Sequence, residues 1–341
     1  MRWRSPIWRR ASLRRSRAVV VWAPSEARAE LFARRLGADL HRIHFLRYKR
    51  PFYAPAKYVP QAIVTLCRLF RDRPAFVYVT NPPVFAAMTV AFYARVSGAR
   101  FVMDTHPPAL FARKWSWTTP LQRWMARAAS CNIVDQERFR RRFEGWGART
   151  IVLEQPPRSP RTSSDARPSD RRVTVINTFA ADEPLECLLE AARLLPDVEF
   201  RILGEAERAP RRLRGSAPSN VVFPGYLHGE DYAAELSAAS VIVALTTYPY
   251  SLLAAIQDAQ AVGKPLVTSD QPVLREYLGD AAVFVTNDGA SVGRGVEQAL
   301  ENRHELCRRI TGLRVEKYRR WEQSFEELAA LADEAQETSK R

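Results

Sequence analysis

The chain has 341 residues, 46% of them hydrophobic and 26% charged, which suits about two domains and excludes a disordered tail or a small disulfide scaffold. Its 52 Lys and Arg against 37 Asp and Glu leave a net charge of +15. The excess lies in residues 1–160, with 30 basic and 9 acidic side chains, while residues 161–341 carry 22 and 28. A basic half of this kind points to a polyanion or an anionic membrane surface.

In chain order, the basic N-terminal arm of residues 1–17, with two Trp, lacks the apolar run of a signal peptide. Ala18–Trp22 reads as a strand. Ser25–Leu36 reads as a helix with Ser25 as N-cap and Gly37 past its end. Leu40–Phe45 is a strand and Ala56–Arg71 a helix. The uncharged stretch Pro74–Ala94 is long enough to cross a membrane, but Asn81-Pro82-Pro83 interrupts it. A strand, Phe76–Thr80, and a helix from about Val84 to Val96 are expected instead. Phe101–Asp104, Cys131–Val134 and Thr150–Leu153 follow as strands, with helices near Pro120–Ala129 and Gln136–Phe143. Residues 156–172, rich in Pro and Ser, read as a linker.

The alternation then restarts. Strands are expected at Val173–Ile176, Glu199–Leu203, Val221–Phe223, Val241–Leu245, Pro265–Thr268 and Ala281–Val285. Helices are expected at Pro184–Leu194, Gly229–Ala238, Leu252–Val262, Val273–Leu278 and Ser291–Asn302, with a long amphipathic one from about Glu305 to Ala335. This pattern predicts two doubly wound, Rossmann-like α/β domains, 18–155 and 173–302, facing across a cleft, with a C-terminal helical tail, 303–341. Cys67, Cys131, Cys187 and Cys307 form no CxxC and read as reduced thiols of a cytoplasmic protein. Neither GxGxxG nor GxxxxGK[ST] occurs, which argues against a nicotinamide dinucleotide fold and a P-loop NTPase.

Candidate site residues cluster at expected strand ends. His106 follows Phe101–Asp104, with Asp104 able to orient it, and a His titrates where proton transfer at neutral pH needs it. In the second half Thr246 and Thr247 end a buried strand. Ser251 is expected to cap a helix whose N-terminal amides suit a diphosphate, and the helix closes at Gly263. Asn177 and Thr178 are further small donors at a strand end. Asp182 and Glu183 are expected to open a helix, which their charge favours. No DxD pattern of closely spaced carboxylates occurs anywhere in the chain. The basic aromatic segments Phe45–Tyr58 and Arg113–Trp124, with the arm, suit an anionic lipid surface. No nucleic-acid-binding signature appears.

The run Ala254–Asp270 resembles the signature of retaining family 4 glycosyltransferases of the GT-B fold, roughly E-G-F-G-x-x-x-x-E-A-x-A-x-G-x-P-V-[IV]. Asp258 stands at the second Glu, Tyr250 at the first, and Gly263-Lys264-Pro265 at the G-x-P. Thr178 and Glu183 stand where that family places Arg and Lys. Thr178–Glu183 also resembles the S-x-T-S-W-x-x-D-E-D region of chitobiosyl-diphosphodolichol β-mannosyltransferases. Asn81-Pro82-Pro83 and Gly98–His106 match further segments of those proteins.

The resemblance implies a metal-independent hexosyltransferase without a cofactor. It would take a GDP- or UDP-sugar and act on a lipid-linked or glycan acceptor at the cytosolic membrane face. Asp258 would bind the donor ribose, the His228 loop would lie near the base, Asn81 and Pro82 would fall on the acceptor side, and the helix of residues 303–341 would brace the first domain. The two families differ in stereochemistry, which stays open. The rival readings are a nucleotide-sugar epimerase of the same fold and a catalytically silent binding protein.

Overall fold

A computed structural model describes residues 17–45, 54–156, 158, 170–249 and 252–338. It divides into two compact units, Met1–Gln155 with Arg320–Arg341, and Pro156–Arg319. The first unit contains β1 (Arg17–Val21), α1 (Ala27–Leu36), β2 (Asp39–Arg42), α2 (Ala54–Asp72), β3 (Phe76–Asn81), α3 (Val84–Ser97) and β4 (Arg100–Thr105). The short helices α4 (Pro107–Phe111) and α5 (Arg113–Ser116) follow, then α6 (Thr119–Ala128), β5 (Cys131–Val134), α7 (Glu137–Glu144) and β6 (Thr150–Val152). Its strands pair in parallel in the order β2-β1-β3-β4-β5-β6.

Strand chemistry explains the layers. β3 is buried along its whole length, as a parallel strand covered on both faces must be. Side-chain alternation then sorts the core into two layers. Ala18, Val20, Val77, Val79 and Met103 face Leu69 of α2, Val90 of α3 and Met125 of α6. Val19, Val21, Phe76, Tyr78 and Val102 face the other way, against Phe32 of α1.

The second unit runs β7 (Arg172–Ile176), α8 (Leu185–Leu194), β8 (Glu199–Leu203), α9 (Arg211–Gly215), β9 (Val221–Gly225), α10 (Gly229–Ala238), β10 (Val241–Ala244) and α11 (Ala254–Val262). It continues through β11 (Leu266–Ser269), α12 (Pro272–Leu278), β12 (Val283–Val285) and α13 (Gly289–Glu301). Its parallel order is β12-β11-β10-β7-β8-β9. The last helix, α14 (Arg303–Thr338), spans 36 residues. From Arg320 onward it belongs to the first unit, where Trp321, Phe325 and Leu328 are buried with Phe32. Two doubly wound parallel α/β units make this the GT-B architecture.

Three local expectations fail. Ser25 is not an N-cap: α1 starts at Ala27 with Glu26 in that place, so the Ser25 hydroxyl sits one residue too early to reach the first free amides. Ser251 is not the cap of α11 either. Leu252 and Leu253 are drawn onto the apolar core of the second unit, which keeps the backbone extended, and Leu253 becomes the N-cap of a helix starting at Ala254. Asp182 and Glu183 lie in the turn before α8, whose N-cap is Pro184. The short helices α4, α5 and α9 escaped prediction because four or five residues carry no readable period. Among the described residues, no helix is long and apolar enough to cross a membrane.

Candidate active site

Each unit gathers polar side chains at the carboxyl ends of its strands, where ligands bind in sheets of this kind. In the first unit the centre is Asp104, 1% exposed near the end of β4. Arg28 of α1 grips it with Nε 2.7 Å from one carboxylate oxygen and Nη2 3.3 Å from the other. The same guanidinium donates to the Leu153 and Glu154 carbonyls at 2.6 and 2.9 Å. Tyr78 of β3 donates its hydroxyl to the same carboxylate. Burial pushes the Asp104 carboxyl up, but the charges of Arg28 and His106 and the hydrogen bonds from Arg28 and Tyr78 together hold Asp104 below the usual carboxylate range. Burial and the neighbouring carboxylate keep Tyr78 protonated.

His106 stands just past β4. Its backbone amide donates to the Asn81 carbonyl at 2.8 Å, which ties it to the end of β3. Its Nε2 lies 3.4 Å from Glu26 Oε1 and 3.6 Å from Asp104 Oδ2. Burial pulls the imidazole down, yet Asp104 and Glu26 prevail and its pKa stands above 6.5. So Asp104 serves mainly as the anchor of Arg28 and acts on His106 through its charge. Asn81 is fully buried, its amide donating to Thr105 Oγ1 at 3.3 Å and Gln122 Oε1 at 3.4 Å. That amide fastens the His106 turn and presents no side-chain surface to an acceptor, while Pro82 beside it is half-buried.

A third carboxyl of the cluster went unread in the sequence. β4 and β5 run in register with Asp104 opposite Ile133, so two residues further His106 and Asp135 leave the sheet side by side. Asp135 Oδ1 is buried without a hydrogen-bond partner. Burial pushes this carboxyl up to about 6, with His106 drawing it partly back. Glu26, Arg28, Tyr78 and Asp135 thus join His106 and Asp104 in one charged cluster.

In the second unit, β7 and β10 are neighbours, and their ends bring together most of the expected donor-side residues. Thr246 Oγ1 donates to Asp182 Oδ2 at 2.9 Å, and the Thr247 amide donates to the Asp182 carbonyl at 2.7 Å. The Thr178 amide and hydroxyl both donate to Glu183 Oε2, the hydroxyl at 2.9 Å. Asn177 Oδ1 accepts from the Phe179 amide at 2.6 Å. The Thr246 and Thr178 donors expected to meet a phosphate are therefore spent on two carboxylates, and those of Thr247 on the Asp182 carbonyl. Ser269 and Asn287, also unread in the sequence, extend the network: Ser269 Oγ accepts from the Thr246 amide at 2.9 Å and donates to Asn287 Oδ1 at 2.7 Å. Gly204 is required here, because at φ +130 a Cβ would fall 2.1 Å from the Asn177 carbonyl oxygen.

Asp258 lies apart from that network. It is 6% exposed, paired with Arg158 and accepting from the Tyr232 hydroxyl at 3.0 Å. Burial and that carboxylate raise the Tyr232 phenol. His228 is the exposed N-cap of α10, one turn before Tyr232, and stacks edge-on with Tyr226 at 4.5 Å. Tyr250 and Ser251 lie outside the described residues. Among the described residues no group of three His, Cys, Asp or Glu is placed to hold a metal.

Residues 170–302 match the family model described as Glycosyl transferases group 1. No curated protein matches the sequence. Among solved structures, the chain is similar to HepE from Anabaena in complex with UDP, with 14% identity over 91% of this chain and 92% of that one and a TM-score of 0.68. The UDP-glucose complex of HepE gives 15% identity over 91% of each chain at 0.64. Sucrose-phosphate synthase from Thermosynechococcus elongatus gives 15% identity over 93% of this chain and 98% of that one at 0.69. The chain has the fold of GT-B glycosyltransferases, and its second unit carries the match to glycosyl transferases group 1.

Proposed function

We propose that the chain is a glycosyltransferase that moves a hexose from a UDP- or GDP-sugar to a lipid-linked or glycan acceptor, working as a peripheral protein at the cytosolic membrane face. The observation that carries this reading is the charged cluster at the carboxyl end of the first sheet, built on His106 and Asp135. The family match over residues 170–302 supports the reaction class, and the UDP and UDP-glucose complexes of HepE support a nucleotide-sugar donor.

In this reading the acceptor hydroxyl oxygen attacks the anomeric carbon, and the nucleoside diphosphate leaves with the electrons of the broken bond. The hydroxyl proton needs a recipient. A carboxyl near 6 is well matched to that task around neutral pH, and Asp135 is held there by burial. His106, whose pKa Asp104 and Glu26 raise against the pull of burial, orients the hydroxyl. On the donor side Asp258, the His228 loop, Tyr250, Ser251 and the Thr246-Thr247 strand end address the nucleotide. No metal, cofactor or nucleic acid enters the reading.

The test begins with thermal shift of the full chain against UDP, GDP and UDP-glucose. A nucleotide at 100 times its dissociation constant adds about 2.7 kcal/mol. Donor turnover with a lipid diphosphate acceptor is then measured for wild type and His106→Ala. The variant should bind the nucleotide as wild type does and turn over about 10²–10⁴-fold more slowly. Nucleotide binding without any transfer or donor hydrolysis by wild type refutes the enzymatic reading and leaves a binding protein.

A further inference from the structure

Surface helices of this chain generally turn charge to the solvent. On α1, Arg34 and Arg35 are exposed, and on α8 Glu186, Glu190 and Arg193 are. Two helices of the first unit do the opposite. On α2 the exposed line is Val59, Ile63, Cys67 and Phe70, steps of four, four and three residues that stay on one side of a helix. On α3 it is Met88, Phe92 and Val96, in steps of four. Val59 is 61% exposed and Val96 60%, so these are outer faces. The two helices lie side by side, with Phe70 of α2 edge-on to Tyr93 of α3 at 5.2 Å and Tyr58 against Phe85 at 5.3 Å. Scattered exposed apolar residues need no explanation, but two adjacent stripes do.

The surrounding charge selects the occupant. Between Leu40 and Val134 there are fourteen Lys and Arg and only two acids, Asp72 and Asp104. Asp104 is buried, and Asp72 is paired with Arg71 at 2.7 Å. Helices α3, α4, α5 and α6 contain no acid at all. Arg95, Lys114, Arg123 and Arg127 are exposed. Trp117 and Trp124, 67% and 50% exposed, extend the apolar surface, Trp117 by way of Phe85 at 6.3 Å. Apolar stripes, flanking indoles and a basic rim whose one accessible acid, Asp72, is paired with Arg71 suit a negatively charged lipid interface. There the hydrocarbon side chains enter the acyl boundary and the indoles and cations sit at the headgroups.

We propose that the outward faces of α2 and α3, flanked by Trp117 and Trp124, dock the first unit on an anionic phospholipid bilayer. This deepens the membrane-peripheral part of the proposed function and assigns it to the apolar stripes of two helices rather than to the basic segments; residues 46–53 of Phe45–Tyr58 lie outside the described residues. It is independent of whether a sugar is transferred.

The test is flotation of the full chain with vesicles of phosphatidylcholine alone or with 30% phosphatidylglycerol. Wild type should float with the anionic vesicles and stay behind with the neutral ones. Ile63→Asp/Phe92→Asp should cut the bound fraction at least tenfold, and the gentler Val59→Ser/Phe92→Ser should cut it severalfold. Leu194→Asp, an exposed apolar position on α8 of the second unit, should leave binding unchanged. Thermal shift with UDP on the same proteins reports folding and the donor site separately, so a failed membrane proposal and a failed glycosyltransferase proposal give different patterns. Failure of wild type to float, equal flotation of the α2–α3 variants, or loss of a sedimenting dimer in those variants without a change in flotation overturns the proposal.

Discussion

Replacing Arg28 by Met removes the cation that balances Asp104. The two side chains are only 5% and 2% exposed, so water cannot take the place of the guanidinium. Four bonds vanish: two to the carboxylate, and one each to the carbonyls of Leu153 and Glu154. The Tyr78 hydroxyl remains on Asp104, but a neutral donor does not neutralise a buried charge. Breaking one side of a buried pair costs about 3–5 kcal/mol. Against a typical stability of about 5–15 kcal/mol the unit should still fold. At a urea slope of ~2 kcal/mol per M the midpoint should fall by about 2 M. All six Trp among the described residues lie in the first unit and none of the eight lies in residues 156–319, so tryptophan emission reports on the first unit. Arg28→Met/Asp104→Leu, which removes the stranded charge, should recover a large part of the loss. His106 adds a second readout. Arg28 pulls its pKa down while Asp104 pushes it up, so in Arg28→Met the imidazole should titrate at higher pH by NMR. A single-variant cost below about 1 kcal/mol, or a double variant no more stable than the single one, shows that the pair does not hold the site together.

Asp135→Asn tests the third carboxyl. Its pKa stands at about 6 in the folded chain against 3.8 ordinarily, so the folded state binds this proton more tightly than the unfolded state. Wild type therefore loses stability as pH rises from about 4 to 6, and the Asn variant should not. At pH 8 the variant should be more stable by on the order of 3 kcal/mol, with no gain below pH 4; equal midpoints at pH 8 exclude a destabilising carboxylate. Glu183→Gln tests the second unit. The Gln carbonyl can still accept from Thr178, while the charge facing a diphosphate is gone, so UDP affinity by calorimetry should rise about fivefold. An unchanged or weaker affinity places the phosphates elsewhere.

Most of the fold was legible because its determinants are local. Val19–Val21 and Val77–Val79 are apolar runs too short for helices, and parallel strands covered on both faces need nothing else. Gly37, Gly98 and Gly263 end α1, α3 and α11 at positive φ, the use for which their lack of a Cβ suits them. Helix starts were less legible. Ser25 and Ser251 have the right chemistry for caps, but tertiary packing decided the first helical residue. The pull of Leu252 and Leu253 into the core outweighed what a serine cap contributes.

The site divides along the same line. His106 and Asp104 could be read from one strand end, because both belong to it. Arg28 and Asp104 are 76 residues apart and Arg28 and Glu154 are 126 apart, so no motif spacing links them. On a helix rich in Arg, the one turned inward looks like the ones turned out. Asp135 was within reach: it follows Cys131–Val134 as His106 follows Phe101–Asp104, and parallel strands deliver such residues to the same edge. The second unit shows the limit of matching residues to family positions. Thr178 and Glu183 stand where Arg and Lys would supply positive charge, and here Glu183 fills the donors of Thr178 itself. A diphosphate arriving at that strand end competes with a carboxylate already in place. In the proposed donor site, binding would therefore require the Ala180–Glu183 turn to release its own hydrogen bonds, and the strength of those bonds would set how selective the site is for a strongly charged ligand.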